Sequence, residues 1–197
     1  MDKLSYALGM SLSQSLQASG VDSLEFDDFL SGVKVIFSGE NPKISAEQGN
    51  QILQAFQKEK EEAEKREKQK NLAAGREFLK KNAEEPGVTV TASGLQYKAI
   101  RDGEGNPPGP HSRVKCNYEG RLIDGKVFDS SYERGLPAKF GLDQVIPGWT
   151  EGLQLMKAGS KYEFYIPANL AYGEVGVPGA IPGNSALIFT VELLEVL

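Results

Sequence analysis

The chain has 197 residues, enough for one large domain or two small ones, and at 40% apolar and 25% charged it can build a core. Its net charge of −5 is spread evenly, with 12 basic and 15 acidic residues up to residue 90 and 10 and 12 after it, so nothing favours a nucleic-acid partner. One cysteine, Cys116, and one histidine, His111, exclude an intramolecular disulfide and a cysteine-rich metal site and leave little for a zinc enzyme or a Ser-His-Asp hydrolase; no apolar run approaches the ~18–20 residues of a membrane span.

The first residues, Met1 to Ser5, are polar and lead straight into a helical pattern, without the charged and apolar segments of a secretion signal. The expectation is a cytoplasmic protein. The alternative is a mature form that is periplasmic or associated with the outer membrane. Leu4, Ala7, Leu8, Leu12 and Leu16 recur at helical spacing, and Gly20 reads as a stop. Leu24, Phe26, Phe29, Leu30, Val33, Ile36 and Phe37 make a second short helix that ends near Gly39 and Pro42. Ser45 and Gln48 then form a capping-box pattern. No proline or strand signal follows until Pro86, which allows a third helix of roughly 36 residues, about 54 Å long.

That helix changes character along its length. Ile52, Leu53 and Phe56 continue the apolar pattern, whereas Lys58 to Lys70 is almost wholly charged, with Glu61–Lys65, Glu62–Arg66 and Glu64–Lys68 at favourable i,i+4 spacing. Leu72, Ala73, Phe78 and Leu79 resume the apolar positions, so a continuous exposed helix is expected. The helices before it are too few to close a core of their own, since units below ~70–80 residues often need staples or partners. With no disulfide available, a homodimer through the N-terminal helices is expected.

From residue 88 the period becomes two. Val114, Cys116 and Tyr118 alternate with Arg113, Lys115 and Asn117; Tyr162, Phe164 and Ile166 alternate; Leu187, Phe189, Val191 and Leu193 finish the chain. Asp124-Gly125 predicts a two-residue type I′ hairpin turn. Trp149 to Met156 reads as a short helix. The fold class is therefore α+β: an N-terminal helical module (1–44), a connecting helix (45–85) and an antiparallel sheet wrapped on one short helix (86–197).

Catalytic motifs are scarce. The glycine-rich stretches lack the Gly-Lys-Ser/Thr of a phosphate loop, Asp102 and Glu104 lack EF-hand spacing, and His111 stands alone in a loop. No cofactor and no metal is expected. What stands out is a set of aromatic and apolar residues in turn-rich places: Tyr118, Phe128, Val145, Ile146, Trp149, Tyr172, Ile181 and Phe189. Taken alone, they fit an ordinary core as well as a ligand pocket.

Six runs of sequence carry a more specific signal. Val-Phe-Asp-Ser-Ser (127–131), Gln-Val-Ile-Pro-Gly-Trp (144–149), Gly-Leu-Gln-Leu-Met (152–156), Leu-Ala-Tyr-Gly (170–173), Ile-Pro (181–182) and Leu-Ile-Phe-Thr-Val-Glu-Leu-Leu (187–194), in this order and spacing, resemble the FK506-binding peptidyl-prolyl cis-trans isomerases. The residues from Asp2 to Gly9 and the helices after them are similar to the dimerisation module of the bacterial two-domain branch, the macrophage infectivity potentiator type. The resemblance implies a pocket with Trp149 as floor and Tyr118, Phe128, Val145, Ile146 and Phe189 as walls, with Ile181 beside them. It implies that the Tyr172 hydroxyl and the Ile146 backbone N–H meet substrate carbonyls, and that Asp129 at the pocket edge pairs with Tyr118 and Arg134. Its implied partners are proline-containing peptides, unfolded protein clients and macrolide inhibitors of the FK506 type. Ala138, Val177 and Ala180 depart from the best-known members, which bears on substrate preference and macrolide affinity.

An isomerase of this kind needs no nucleophile. Rotation about X–Pro is slow because twisting breaks amide resonance, at a barrier of ~18–20 kcal/mol. A dry pocket disfavours the planar, more dipolar amide, and fixed hydrogen bonds can favour the twisted one. An acceleration of ~10⁴-fold asks for roughly 5–6 kcal/mol, within reach of those effects. The competing expectation is a holdase-type chaperone or proline-peptide binding module in which catalysis is secondary.

Overall fold

Asp2 opens the first helix, α1 (Lys3–Ala18), by accepting the Ser5 N–H at 2.6 Å. Gly20, at φ 78°, turns the chain away after it. Helix α2 (Phe26–Ser38) stops at Gly39, which adopts the left-handed conformation that glycine tolerates best. Ser45 and Gln48 make the expected reciprocal box ahead of α3 (Ala46–Asn82), with Ser45 N–H on Gln48 Oε1 at 2.9 Å and Gln48 N–H on Ser45 Oγ at 3.2 Å. In this computed structural model, which describes residues 1–197, α3 runs unbroken for 37 residues through its charged middle.

The chain forms two compact units, Met1–Lys58 and Glu59–Leu197, so α3 begins in the first and ends in the second. In the first unit neither α1 nor α2 has a single buried residue. Leu4, Leu8, Phe26, Leu30 and Ile36 lie exposed, and Phe37 is 89% exposed.

The second unit is an antiparallel sheet of seven strands: β1 (Val88–Val90), β2 (Gln96–Arg101), β3 (Arg113–Leu122), β4 (Val127–Ser130), β5 (Ala138–Gly141), β6 (Lys161–Ile166) and β7 (Leu187–Val196). The order is β1-β2-β6-β7-β3-β4, with β5 also on β3. The first residues of β3 pair β5 and its last pair β4. On β3, Val114, Cys116, Tyr118 and Leu122 are buried at alternate positions, as the period of two predicts. The short helix α4 (Pro147–Leu153) packs Trp149 and Leu153 into the core, with Pro147 at its start, where a missing N–H costs nothing. It sits close because Gly148 and Gly152 face the sheet: a Cβ at Gly152 would lie 2.7 Å from the Phe164 ring.

Two details differ from the sequence reading. The Asp124-Gly125 turn is not type I′, because only Gly125 has a positive φ, 91°, where that turn needs two such residues. Leu122 and Lys126 instead close a three-residue connection, with Leu122 N–H on Lys126 O at 2.9 Å and Gly125 N–H on Leu122 O at 3.0 Å. The Asp124 carboxylate accepts the Lys126 N–H at 2.9 Å, which suits the conformation it takes. The second difference is the end of α3, which belongs to the sheet unit. Gln96 donates to the Leu79 carbonyl and accepts from Asn82, both at 2.8 Å; Phe78 meets the Tyr165 ring; and Gly75 lies so near Ala186 that a Cβ would come within 3.0 Å of its methyl. No helix is long and apolar enough to cross a membrane.

Candidate functional site

A pocket of about 380 Å³ opens where α4, the loop before it and the β3–β4–β5 corner converge. Trp149, 2% exposed, lies at its centre. The indole meets three rings edge-on: Tyr118 at 5.2 Å, Phe140 at 5.3 Å and Phe189 at 5.2 Å between centroids, all within 10° of perpendicular. Phe128 continues the set against Phe189 at 5.5 Å. Edge-to-face contacts are worth about 0.5–1.5 kcal/mol each beyond the area they bury, so the rings hold each other in place. Gly120 on β3 makes the closure possible, since a Cβ there would stand 2.6 Å from Phe189 and 2.7 Å from Phe128.

The polar edge of the pocket is a closed trio. The Tyr118 phenol donates to Asp129 Oδ2 at 2.5 Å, Arg134 Nη1 pairs with Asp129 Oδ1, and Arg134 Nη2 donates to the Tyr118 oxygen at 2.8 Å. The guanidinium also lies 5.4 Å from the Tyr118 ring centre. Tyr118 is held from behind by buried Ser131, which accepts its N–H at 2.8 Å and donates to Asn117 at 3.1 Å. Burial first, and the hydrogen bond to Asp129 second, push the Tyr118 phenol up to about 12. Tyr172 stands at the mouth, 40% exposed, its phenol raised by burial and then by the negative charge of Asp129. The Trp149 Nε1–H is the one buried side-chain polar atom without a partner.

The structure brings Tyr118, Phe128, Asp129, Val145, Ile146, Trp149, Tyr172 and Phe189 together around this pocket. Arg134 reaches it through Asp129 and Tyr118 and does not itself line it. Ile181, 5% exposed, lies in the core and bridges to Val177, away from the lining. Phe140 and Gln144 line the pocket and escaped the sequence reading. Phe140 was legible in principle: it lies two positions after Ala138 and so on the same face of β5. No three His, Cys, Asp or Glu side chains converge as metal ligands.

Comparison with known proteins agrees with this architecture. Residues 105–194 match the family described as FKBP-type peptidyl-prolyl cis-trans isomerase, and residues 1–99 match the domain amino terminal to it. The chain is 42% identical over 193 residues to the FKBP-type 22 kDa peptidyl-prolyl cis-trans isomerase of Escherichia coli K12, covering 98% of this chain and 94% of that one. It is 45% identical over 199 residues to the outer membrane protein MIP of Legionella longbeachae, covering 99% and 85%. The crystal structure of FkpA from Escherichia coli superposes with a TM-score of 0.73 at 42% identity, over 98% of this chain and 95% of that one. On the match of both domains and of the fold, the chain belongs to the FKBP-type peptidyl-prolyl cis-trans isomerases, with the amino-terminal domain of that family ahead of the catalytic one.

Proposed function

We propose that the pocket around Trp149 is where this isomerase rotates X–Pro bonds, and that it acts by desolvation rather than by a nucleophile. The observation that carries the reading is the ring of edge-on aromatics around Trp149 beside an Asp129 whose two oxygens are both already engaged. A proline ring resting on the indole loses water, and with it the solvation that favours the planar amide. The Tyr172 hydroxyl and the Ile146 N–H then hold the carbonyls on either side. Ile146 caps α4 and gives its own carbonyl to Trp149 and Thr150, so the N–H is what it can offer a ligand. Asp129 orients Tyr118 and Arg134 and does not touch the amide. Phe128, Val145 and Phe189 are walls, and Ile181 supports the loop behind Tyr172. Substrates are proline-containing peptides and unfolded chains, and macrolides of the FK506 type compete for the same space. The test is an exchange or protease-coupled assay on a short Xaa-Pro peptide, with and without such a macrolide and with Phe128→Ala; unchanged activity in Phe128→Ala overturns the site.

The first unit supports a homodimer. Two helices without a buried residue cannot be held by their own packing, and each large apolar side chain removed from water contributes about 1.5–3 kcal/mol. A second copy covering this face supplies the missing core. Light scattering gives twice the 21.4 kDa chain mass if so, and the chain mass itself if not. The domain limits proposed are a dimerisation module of residues 1–44, the first part of α3 as connector, and a catalytic domain that takes in the end of α3. The name of the Legionella longbeachae relative favours the cell envelope over the cytoplasm as the place of action.

The length of the charged helix favours a second reading, a chaperone that holds unfolded clients while catalysis is secondary. Refolding of a large client separates the two readings. If deletion of residues 1–58 leaves it unchanged, the chaperone reading fails.

A further inference from the structure

The loop that follows Tyr172 is closed by its own backbone. Asn184 N–H donates to the Gly173 carbonyl at 2.8 Å, and within that ring Val177 and Ile181 exchange hydrogen bonds, each at 2.8 Å. Asn184 holds φ at 60° and is the only non-glycine residue with a positive φ, a left-handed conformation that asparagine tolerates better than most residues. The Gly183 carbonyl accepts Asn71 Nδ2 at 3.2 Å, and Asn71 belongs to α3, 112 positions earlier in the chain.

This contact is a single hydrogen bond from the α3 side chain to the loop backbone. A cavity of about 410 Å³ lies beside it, between Glu64, Glu67 and Lys68 of α3 and the apolar loop. Gly183 itself is closely approached from both sides, since a Cβ there would collide with the loop's own Glu174 carbonyl oxygen and meet Lys68 Cε at 3.1 Å. The loop's other ties are its own, with Gly176 N–H on the Tyr172 carbonyl at 3.2 Å, Gly173 N–H on Ala168 O at 2.9 Å and Ser185 Oγ on Pro182 O at 2.7 Å. Asn71 is therefore the side chain that ties its base to α3. The connected path runs from the Asn71 amide to the Gly183 carbonyl, along the chain to the Asn184 N–H, to the Gly173 carbonyl, and so to Tyr172.

We propose that Asn71 is a positioning residue for the isomerase pocket: by holding the Gly183 carbonyl it fixes the base of the 173–184 loop, and with it the Tyr172 phenol at the pocket mouth. The consequence for catalysis rests on the reading that this phenol meets the substrate.

The test uses the full chain. Asn71→Asp keeps the shape, removes the donor and turns a carboxylate oxygen towards the Gly183 carbonyl, so its effect is at least that of the lost bond; Asn71→Gln keeps the donor. In Asn71→Asp, amide exchange at Asn184 speeds up about threefold to tenfold, the size of one ordinary hydrogen bond. KM for an Xaa-Pro peptide rises by a similar factor while kcat holds, and Asn71→Gln lies between this variant and the parent. Unchanged exchange at Asn184 overturns the tether. A parallel fall of kcat and melting temperature, with KM unchanged, overturns the positioning role in favour of a merely structural one. Tyr172→Phe is the separate control: kinetics like the parent's remove the hydroxyl's role and the catalytic consequence with it, while exchange at Asn184 still decides the tether.

Discussion

The Tyr118 phenol donates to Asp129 at 2.5 Å while Arg134 bonds both of them, so the three polar groups at the pocket edge form one unit. Groups that share partners do not act additively. Tyr118→Phe and Asp129→Asn are each expected to lower kcat/KM about threefold to tenfold, the net worth of one ordinary hydrogen bond. The double variant is expected to lose little more than the worse single one. Peptide isomerisation kinetics on the four proteins measures this, and simple additivity means that Asp129 works independently of Tyr118.

Trp149 offers the pocket a face, and its Nε1–H has no partner in the chain. Trp149→Phe therefore keeps a ring among Tyr118, Phe140 and Phe189 and deletes an unpaired donor. It is expected to retain most of the activity. Trp149→Ala removes the floor, costs about 3–5 kcal/mol in denaturant unfolding and lowers activity by far more than Cys116→Ser does. If Phe and Ala at this position lose activity equally, the indole N–H is the functional group and the aromatic face is not.

Alkaline titration tests the Tyr118 environment. Its phenol is raised from 10.0 to about 12, first by burial. The unfolded chain thus ionises this group before the folded one. The stability it contributes is complete below pH 10 and disappears as the pH climbs towards 12. Tyr132, Tyr162, Tyr165 and Tyr172 are raised as well and are common to parent and variant, so comparison with Tyr118→Phe isolates this one group. The parent's unfolding midpoint is expected to fall more steeply than the variant's between pH 10 and 12, with the two curves parallel between pH 7 and 9. Parallel curves throughout refute it.

Truncation tests where the catalytic unit begins. The Gln96 amide ties Leu79 and Asn82 to β2, and Phe78 packs on Tyr165. Deleting residues 1–58 is expected to leave short-peptide activity within about twofold of the parent. Deleting residues 1–85 removes both hydrogen bonds of the Gln96 side chain, worth about 0.5–1.5 kcal/mol each, and uncovers the Tyr165 ring. Thermal unfolding of the two fragments shows the difference; equal melting temperatures place the boundary at residue 86 after all.

Much of this was legible in the linear sequence, first because many of the interactions are local. The Asp2 and Ser45 caps join residues three apart. The helical repeats and the alternation on β3 follow from backbone geometry. The six runs from Val127 to Leu194 carried the family and most of the pocket because they contain the residues that meet there.

Tertiary structure decided whatever depends on distant partners or on small changes of backbone angle. Asp124-Gly125 marks a turn, but its type depends on how β3 and β4 register, and that made it three residues long. Ile181 shares a loop with apolar neighbours, and only folding places it in the core, bridged to Val177 and off the pocket lining. Phe140 enters the pocket because β5 pairs with the first residues of β3. The end of α3 looks like a connector in sequence, yet Gln96 and Tyr165 claim it for the sheet. Asn71 and Gly183 have no periodicity in common; their contact exists only because folding places the helix beside the loop.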